Sequence, residues 1–173
     1  IVSELPTGRT LARTPLPPEL ADRLADFLQS RGFPLLALYD RAEAGFDYQL
    51  IEGRRNMEAY ETWARLTPSR LDRADAWRPA VHRPVRIGVI EDPSHIAATL
   101  ADLKAAFPPT TMKFNAIYAP NYRLHVVECF AREVNKWHGI SQLCEIMGIA
   151  GFRVITLGDD VNDVEMIERA GLG

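Results

Sequence analysis

Residues 152–173 read FRVITLGDDVNDVEMIERAGLG, and their pattern decides the fold. FRVITL is a near-continuous apolar run of the kind found in strands buried on both faces of a parallel sheet, and VEMIERAG after it has helical spacing. Between them lies Gly158-Asp159-Asp160-Val161-Asn162-Asp163. Strand, acidic loop and helix in that order form a fragment of a doubly wound α/β sheet. In such sheets the carboxyl ends of the strands make the ligand crevice, so Asp159 and Asp160 are delivered to the place where small molecules bind.

Adjacent aspartates repel one another unless a hard divalent cation, held through carboxylate oxygens and water, offsets their charge. Mg²⁺ is the natural candidate. A purely structural alternative stands beside it: Asn162 caps the following helix, Glu165 closes a capping box, and Asp163 favours the positive end of the helix dipole. That accounts for Asn162 and Asp163 but not for the pair at the strand tip. A calcium-binding loop does not fit, because its glycine and distal glutamate would fall at other positions.

Upstream, residues 137–147 predict a helix with Ile140, Leu143, Cys144 and Met147 facing inward and Gly148 as its stop. Lys136 precedes it. A cation at a helix N-terminus opposes the dipole at a cost of about 0.3–1 kcal/mol, so the position either faces an anion or is a solvated loop lysine.

EVNKWHGISQLCEIMGI followed by FRVITLGDDVNDVEMIERAGLG resembles the third and fourth motifs of the haloacid dehalogenase superfamily, specifically Cof-type phosphatases with a type IIB cap. The compound pattern carries the likeness: a lysine, a helix, Gly-Ile, a strand, then GDxxND. The resemblance implies a partial haloacid dehalogenase-like core of Rossmann-like, doubly wound type with an inserted α+β cap. It implies that Asp159 binds Mg²⁺, with Asp160 at a variable position where it either supports the metal electrostatically or contributes little. It further implies that Asn162 positions the phosphate or the metal shell, that Lys136 neutralises phosphoryl oxygens, and that Asp163 orients Lys136. Family members also carry an N-terminal DxD motif, whose first aspartate forms an aspartyl-phosphate and whose second is the general acid/base. No such motif occurs here, and Thr7, Thr10 and Thr14 do not match the family's phosphate-gripping Ser/Thr motif. The segment by itself is therefore expected not to form the covalent intermediate. Either a longer native chain supplies the missing motifs, or the protein is a degenerate relative that binds without turnover.

Elsewhere, IVSEL, Pro6-Thr7-Gly8 and RTLART predict a short hairpin. Pro17 and Pro18 open a helix carrying Leu20, Leu24, Phe27 and Leu28, which stops at Gly32. PLLALYD and DYQLIE read as strands, and NMEAYETWARL as a helix with Asn56 as its cap. Residues 67–84, rich in proline, arginine and aspartate, read as an irregular crossing. VRIGVIED is a strand, and Asp92-Pro93 opens a helix with Ile96, Leu100, Leu103 and Phe107 on one face. KFNAIYA and YRLHVVECFA form a hairpin turning at Pro120-Asn121. The expected organisation is a core hairpin over residues 1–15, an α+β cap over 16–131 built as a mixed sheet with helices on one face, and part of the catalytic core over 132–173.

Composition narrows the function. The chain has 173 residues, a net charge of -3 and charges of mixed sign, so no broad positive field is available for nucleic acid. No apolar run approaches the roughly 18 residues of a membrane span, and the start lacks a secretory layout, which predicts a cytoplasmic protein. Cys129 and Cys144 are expected to be buried and inert. Arg54 and Arg55 either meet an anionic substrate or are solvated. The expected activity is Mg²⁺-dependent hydrolysis of a small phosphorylated metabolite such as a sugar phosphate. A phosphomutase on the same scaffold and a non-catalytic binding relative are the alternatives, and the oligomeric state is unspecified.

Overall fold

In the computed structural model, which describes residues 1–78, 83–120, 123–160 and 162–173, the first residues fold back on themselves at Pro6-Thr7-Gly8. Strands β1 (Val2–Ser3) and β2 (Thr10–Ala12) pair antiparallel, as the turn chemistry predicts. The chain divides into two compact units, Ile1–Thr14 with Glu133–Gly173, and Pro15–Arg132.

The larger unit opens with helix α1 (Pro18–Ser30), whose proline-led start needs no amide donor and whose buried stripe is Ala21, Leu24, Ala25 and Leu28. Gly32 adopts a left-handed conformation (φ 80°) that ends the helix. Strand β3 (Leu35–Leu38), the short helix α2 (Arg41–Ala44) and strand β4 (Tyr48–Ile51) follow, then helix α3 (Met57–Leu66) and strand β5 (Leu71–Ala74). Strand β6 (Arg86–Glu91), helix α4 (Ile96–Ala106) and the long hairpin β7 (Met112–Ala119) and β8 (Leu124–Ala131) complete the unit. The hairpin's turn at Asn121 lies outside the described residues. The strands form one sheet in the order β5-β4-β3-β6-β8-β7, antiparallel except for the parallel β4–β5 pair.

One face of this sheet is covered by α1 and α4. Phe27 and Phe107 meet edge to face across them at 5.4 Å, and Thr99 donates to the buried Glu91 of β6 at 2.9 Å. Leu24, Leu28, Ile87, Val89, Leu103, Val127 and Cys129 are all fully buried. Burial pushes the Cys129 thiol up and out of the reactive range. Cys129 should therefore resist iodoacetamide in the folded protein at about pH 8 and react on unfolding, as peptide mass mapping would record.

Several expectations for this unit are corrected. Helices do not all lie on one face: α3 packs on the opposite side, where Tyr60 and Trp63 join Leu36, Leu50 and Ile90 in one cluster. Beyond the last β3–β6 pair, Leu36 with Gly88, the N–H of Ile90 is bonded at 2.9 Å by the Tyr60 hydroxyl, and its carbonyl accepts from the Asn56 amide at 3.2 Å. Asn56 makes no side-chain cap for α3: its backbone is left-handed (φ 51°) and its side-chain NH₂ is turned to the sheet. The stretch 67–84, read as irregular, contains β5; an edge strand carries charges such as Asp72 and Arg73 and so lacks an apolar alternation. Residues 79–82 of that stretch lie outside the described ones. Helix α4 starts at Ile96 rather than Pro93, since Asp92 spends its carboxylate on a tight turn with Ser94. Arg55 is structural: it pairs with Glu91 at 2.9 Å and stacks on Phe33. Trp63 is buried, and the Trp77 indole donates to Asp22 at 2.8 Å.

The smaller unit contributes helix α5 (Lys136–Met147), a single turn at Gly151–Arg153 and helix α6 (Val164–Arg169). FRVITL differs from its expectation. Among the described residues its only ladder contact is a parallel bridge between Ile155 and Leu172, and Ile155 and Leu157 are 69% and 89% exposed. A buried parallel strand needs partners on both edges, and one bridge does not provide them. No residue of α5 is buried either, so Ile140, Leu143 and Met147 are not core, and Cys144 is only partly covered.

Candidate active site

The acidic loop and the start of α6 are tied to the start of α5 by side-chain contacts. Asn135 caps α5 by accepting the His138 N–H at 2.7 Å, and its amide reaches Glu165 of α6 at 2.7 Å. Both helix starts are thereby tied together. Asn135→Ala should cost about 1 kcal/mol of stability, measured as a lower denaturant midpoint with unchanged slope. Lys136 is the first residue of α5, not a loop residue, and its ammonium sits on the Asp163 carboxylate. The sequence reading missed Asn135 and gave Glu165 only a capping-box role; the available signal was an asparagine immediately before a helical pattern.

Asp163 is the most buried acid of the loop, 3% exposed. The Lys136 ammonium holds its carboxyl below the usual carboxylate range against the opposing effect of burial, and the Asp160 N–H adds to the lowering. A depressed acid stabilises the fold above its ordinary pKa, and that contribution disappears as pH falls through the lowered value. The pair is intact at neutral pH.

Gly158 makes room for this acid. A Cβ at position 158 would lie 2.3 Å from the Asp163 Cβ, and the other carboxylate oxygen accepts the Asp160 N–H at 3.3 Å. One side chain thus braces the loop it terminates. Thr156 donates to the Met166 carbonyl at 3.1 Å and fixes the loop's other end to α6. The capping box is not formed: Asp163, not Asn162, takes the cap position of α6 without a side-chain bond, and Glu165 is spent on Asn135.

The structure therefore brings Lys136 and Asp163 together and leaves Asp159 and Asp160 exposed at the loop. The Asn162 amide oxygen is buried with no hydrogen-bond partner among the described residues. An orphaned amide oxygen in the same loop as the two exposed carboxylates supplies the hard-oxygen donors that Mg²⁺ takes, usually one or two carboxylates with water completing the shell. Among the described residues no cluster of three or more His, Cys, Asp or Glu side chains could hold a metal by itself. Among the described residues no helix is long and apolar enough to cross a membrane.

An acidic loop braced against a helix-borne lysine is the local arrangement, and the sequence profile of the haloacid dehalogenase-like hydrolases matches residues 1–173. The chain belongs to that family. It is 38% identical over 52 residues to a phosphoglycolate phosphatase of Methanosarcina acetivorans, a segment covering 30% of this chain and 22% of that protein. It is 39% identical over 49 residues to a 5-amino-6-(5-phospho-D-ribitylamino)uracil phosphatase of Bacillus subtilis, covering 28% and 18% respectively. A haloacid dehalogenase-like hydrolase from Bacteroides thetaiotaomicron superposes with a TM-score of 0.66 at 17% identity, over 96% of this chain and 58% of that one. A subclass IIB sugar phosphatase superposes with a TM-score of 0.66 at 14% identity, over 91% and 54%. These likenesses carry the fold. The chain spans little more than half the length of those two structures.

Proposed function

We propose that this chain belongs to a Mg²⁺-dependent phosphatase acting on a small phosphomonoester such as a sugar phosphate. In this reading residues 132–173 and the first hairpin are part of the catalytic core, and 16–131 are a type IIB cap. The observation that carries it is the Lys136 ammonium lodged on a buried Asp163 that also braces the acidic loop.

Each residue then has a task. Asp163 fixes the ammonium of Lys136, whose charge neutralises the oxygens of the transferring phosphoryl group. Asp159, with Asp160 beside it, holds the metal, and Asn162 directs its amide oxygen to the metal shell or the phosphate. When bound, Mg²⁺ supplies charge neutralisation and orientation of the phosphate. The phosphoryl group passes from the ester oxygen to an aspartate carboxylate, the departing oxygen takes a proton, and water then cleaves the aspartyl-phosphate. The 173 residues contain no DxD sequence to supply that aspartate, so the reaction requires a chain that carries one.

The test is release of inorganic phosphate from a panel of sugar phosphates by such a chain, with and without Mg²⁺. Phosphate release that depends on Mg²⁺ and falls by about 10²-fold or more in Asp159→Asn and Lys136→Ala is expected. Transfer of phosphate within the substrate without release would make it a mutase, and full activity in either variant would remove the assignment.

A further inference from the structure

Helix α3 covers only part of its sheet face. Beside it, within Pro15–Arg132, remains a cavity of about 180 Å³. Its floor is Gly88, in the middle of the central strand β6, with Arg86 and Ile90 on either side on the same face. Glycine weakens a strand and commonly marks a place where something approaches the backbone. Neither backbone conformation nor crowding demands it here: Gly88 is not among the glycines of positive φ, and the nearest atom to a Cβ built there is the Leu36 carbonyl oxygen at 3.7 Å. A larger residue would fit and fill the hollow, yet none is present.

The walls define what enters. Leu36, Ile117 and Val126 are aliphatic, and the Tyr48 and Trp63 rings meet edge to face at 4.7 Å along one side. At the polar end Arg86 pairs with Glu128 and donates to the Tyr48 hydroxyl at 2.7 Å. Their charges cancel, so an anion gains nothing there. Because the Tyr48 oxygen accepts from Arg86, its own proton is available to donate outward. The Thr67 hydroxyl, also in the wall, is buried with no hydrogen-bond partner among the described residues. A buried hydroxyl left unpaired is costly, which a ligand with a matching group relieves. A sugar would press hydroxyls on both its faces against aliphatic walls, at a desolvation penalty; a flat ring would not.

We infer that this cavity binds a small, planar, uncharged heterocycle that carries both a carbonyl and an N–H. All its residues lie in the larger unit, so the inference stands independently of the loop at 158–163.

The experiment is a titration of the ¹⁵N-labelled chain with thymine, read by amide chemical shifts. Saturable shifts at Gly88, Val126 and Glu128 are expected, with a dissociation constant of about 1 mM or below, the range open to so small a ligand. Inositol and inorganic phosphate at equal concentration should leave those signals in place. Gly88→Val, checked by thermal melting, should weaken thymine at least tenfold, and the isosteric Thr67→Val should weaken it several-fold and serves as the comparison if Gly88→Val does not fold. Absent or unsaturable shifts, equal shifts with inositol or phosphate, or full binding by folded Gly88→Val or by Thr67→Val would overturn the inference.

Discussion

Gly158→Ala is expected to lower phosphate release by about 10²-fold in a chain carrying the nucleophilic aspartate, because a displacement near 1 Å in a catalytic arrangement has that order of effect. The new methyl group would meet the Asp163 Cβ at 2.3 Å and its Cγ at 2.5 Å, closer than carbon atoms approach. Something must move. The braced element is Asp163, which holds both Lys136 and the Asp160 amide, so the shift propagates to the ammonium that meets the phosphoryl oxygens. Gly158 is exposed on a loop, so global stability should change little while turnover collapses. Equal loss of stability and activity would point to unfolding instead. Kinetics with a parallel melting curve separate the two.

Tyr60→Ala should destabilise the larger unit by about 3–5 kcal/mol, a large share of the roughly 5–15 kcal/mol that holds an ordinary domain together. Tyr60 is completely buried and is the centre of the cluster that fastens α3 to the sheet. Its loss leaves a cavity and exposes the Ile90 N–H, which β3 does not reach. Tyr60→Phe separates the contributions: the ring is kept and only the hydrogen bond goes, so a loss of about 1–3 kcal/mol is expected from the orphaned amide. Chemical denaturation of both variants measures the difference. A phenylalanine variant as stable as the parent would mean that Ile90 finds another partner.

The order of elements in the larger unit was legible because α1 and the strands β3, β6 and β8 carry strong periodic patterns. The side of the sheet chosen by α3 was not, since that depends on which strand edge ends early: β3 stops pairing with β6 at Gly88, and Tyr60 and Asn56 take over. The edge strand β5 was hidden by its charges. In the smaller unit GDDVND stood out by composition, whereas the pairing of Asp163 with Lys136 was legible only through the family resemblance. Lys136 and Asp163 are 27 positions apart, and the Asn135 contacts with α5 and α6 and the space at Gly158 help to bring them together. FRVITL was misjudged because hydrophobic pattern reports what a segment would bury, not whether a neighbouring strand is there to bury it.

Mn²⁺, a paramagnetic stand-in for Mg²⁺, provides the most direct measurement on the 173-residue chain itself. Amide signals from residues 158–163 should broaden selectively as the ion is added, Mg²⁺ should compete the effect away, and Asp159→Asn should abolish it. Broadening centred elsewhere, or unchanged in Asp159→Asn, would contradict the assignment of this loop as the metal site.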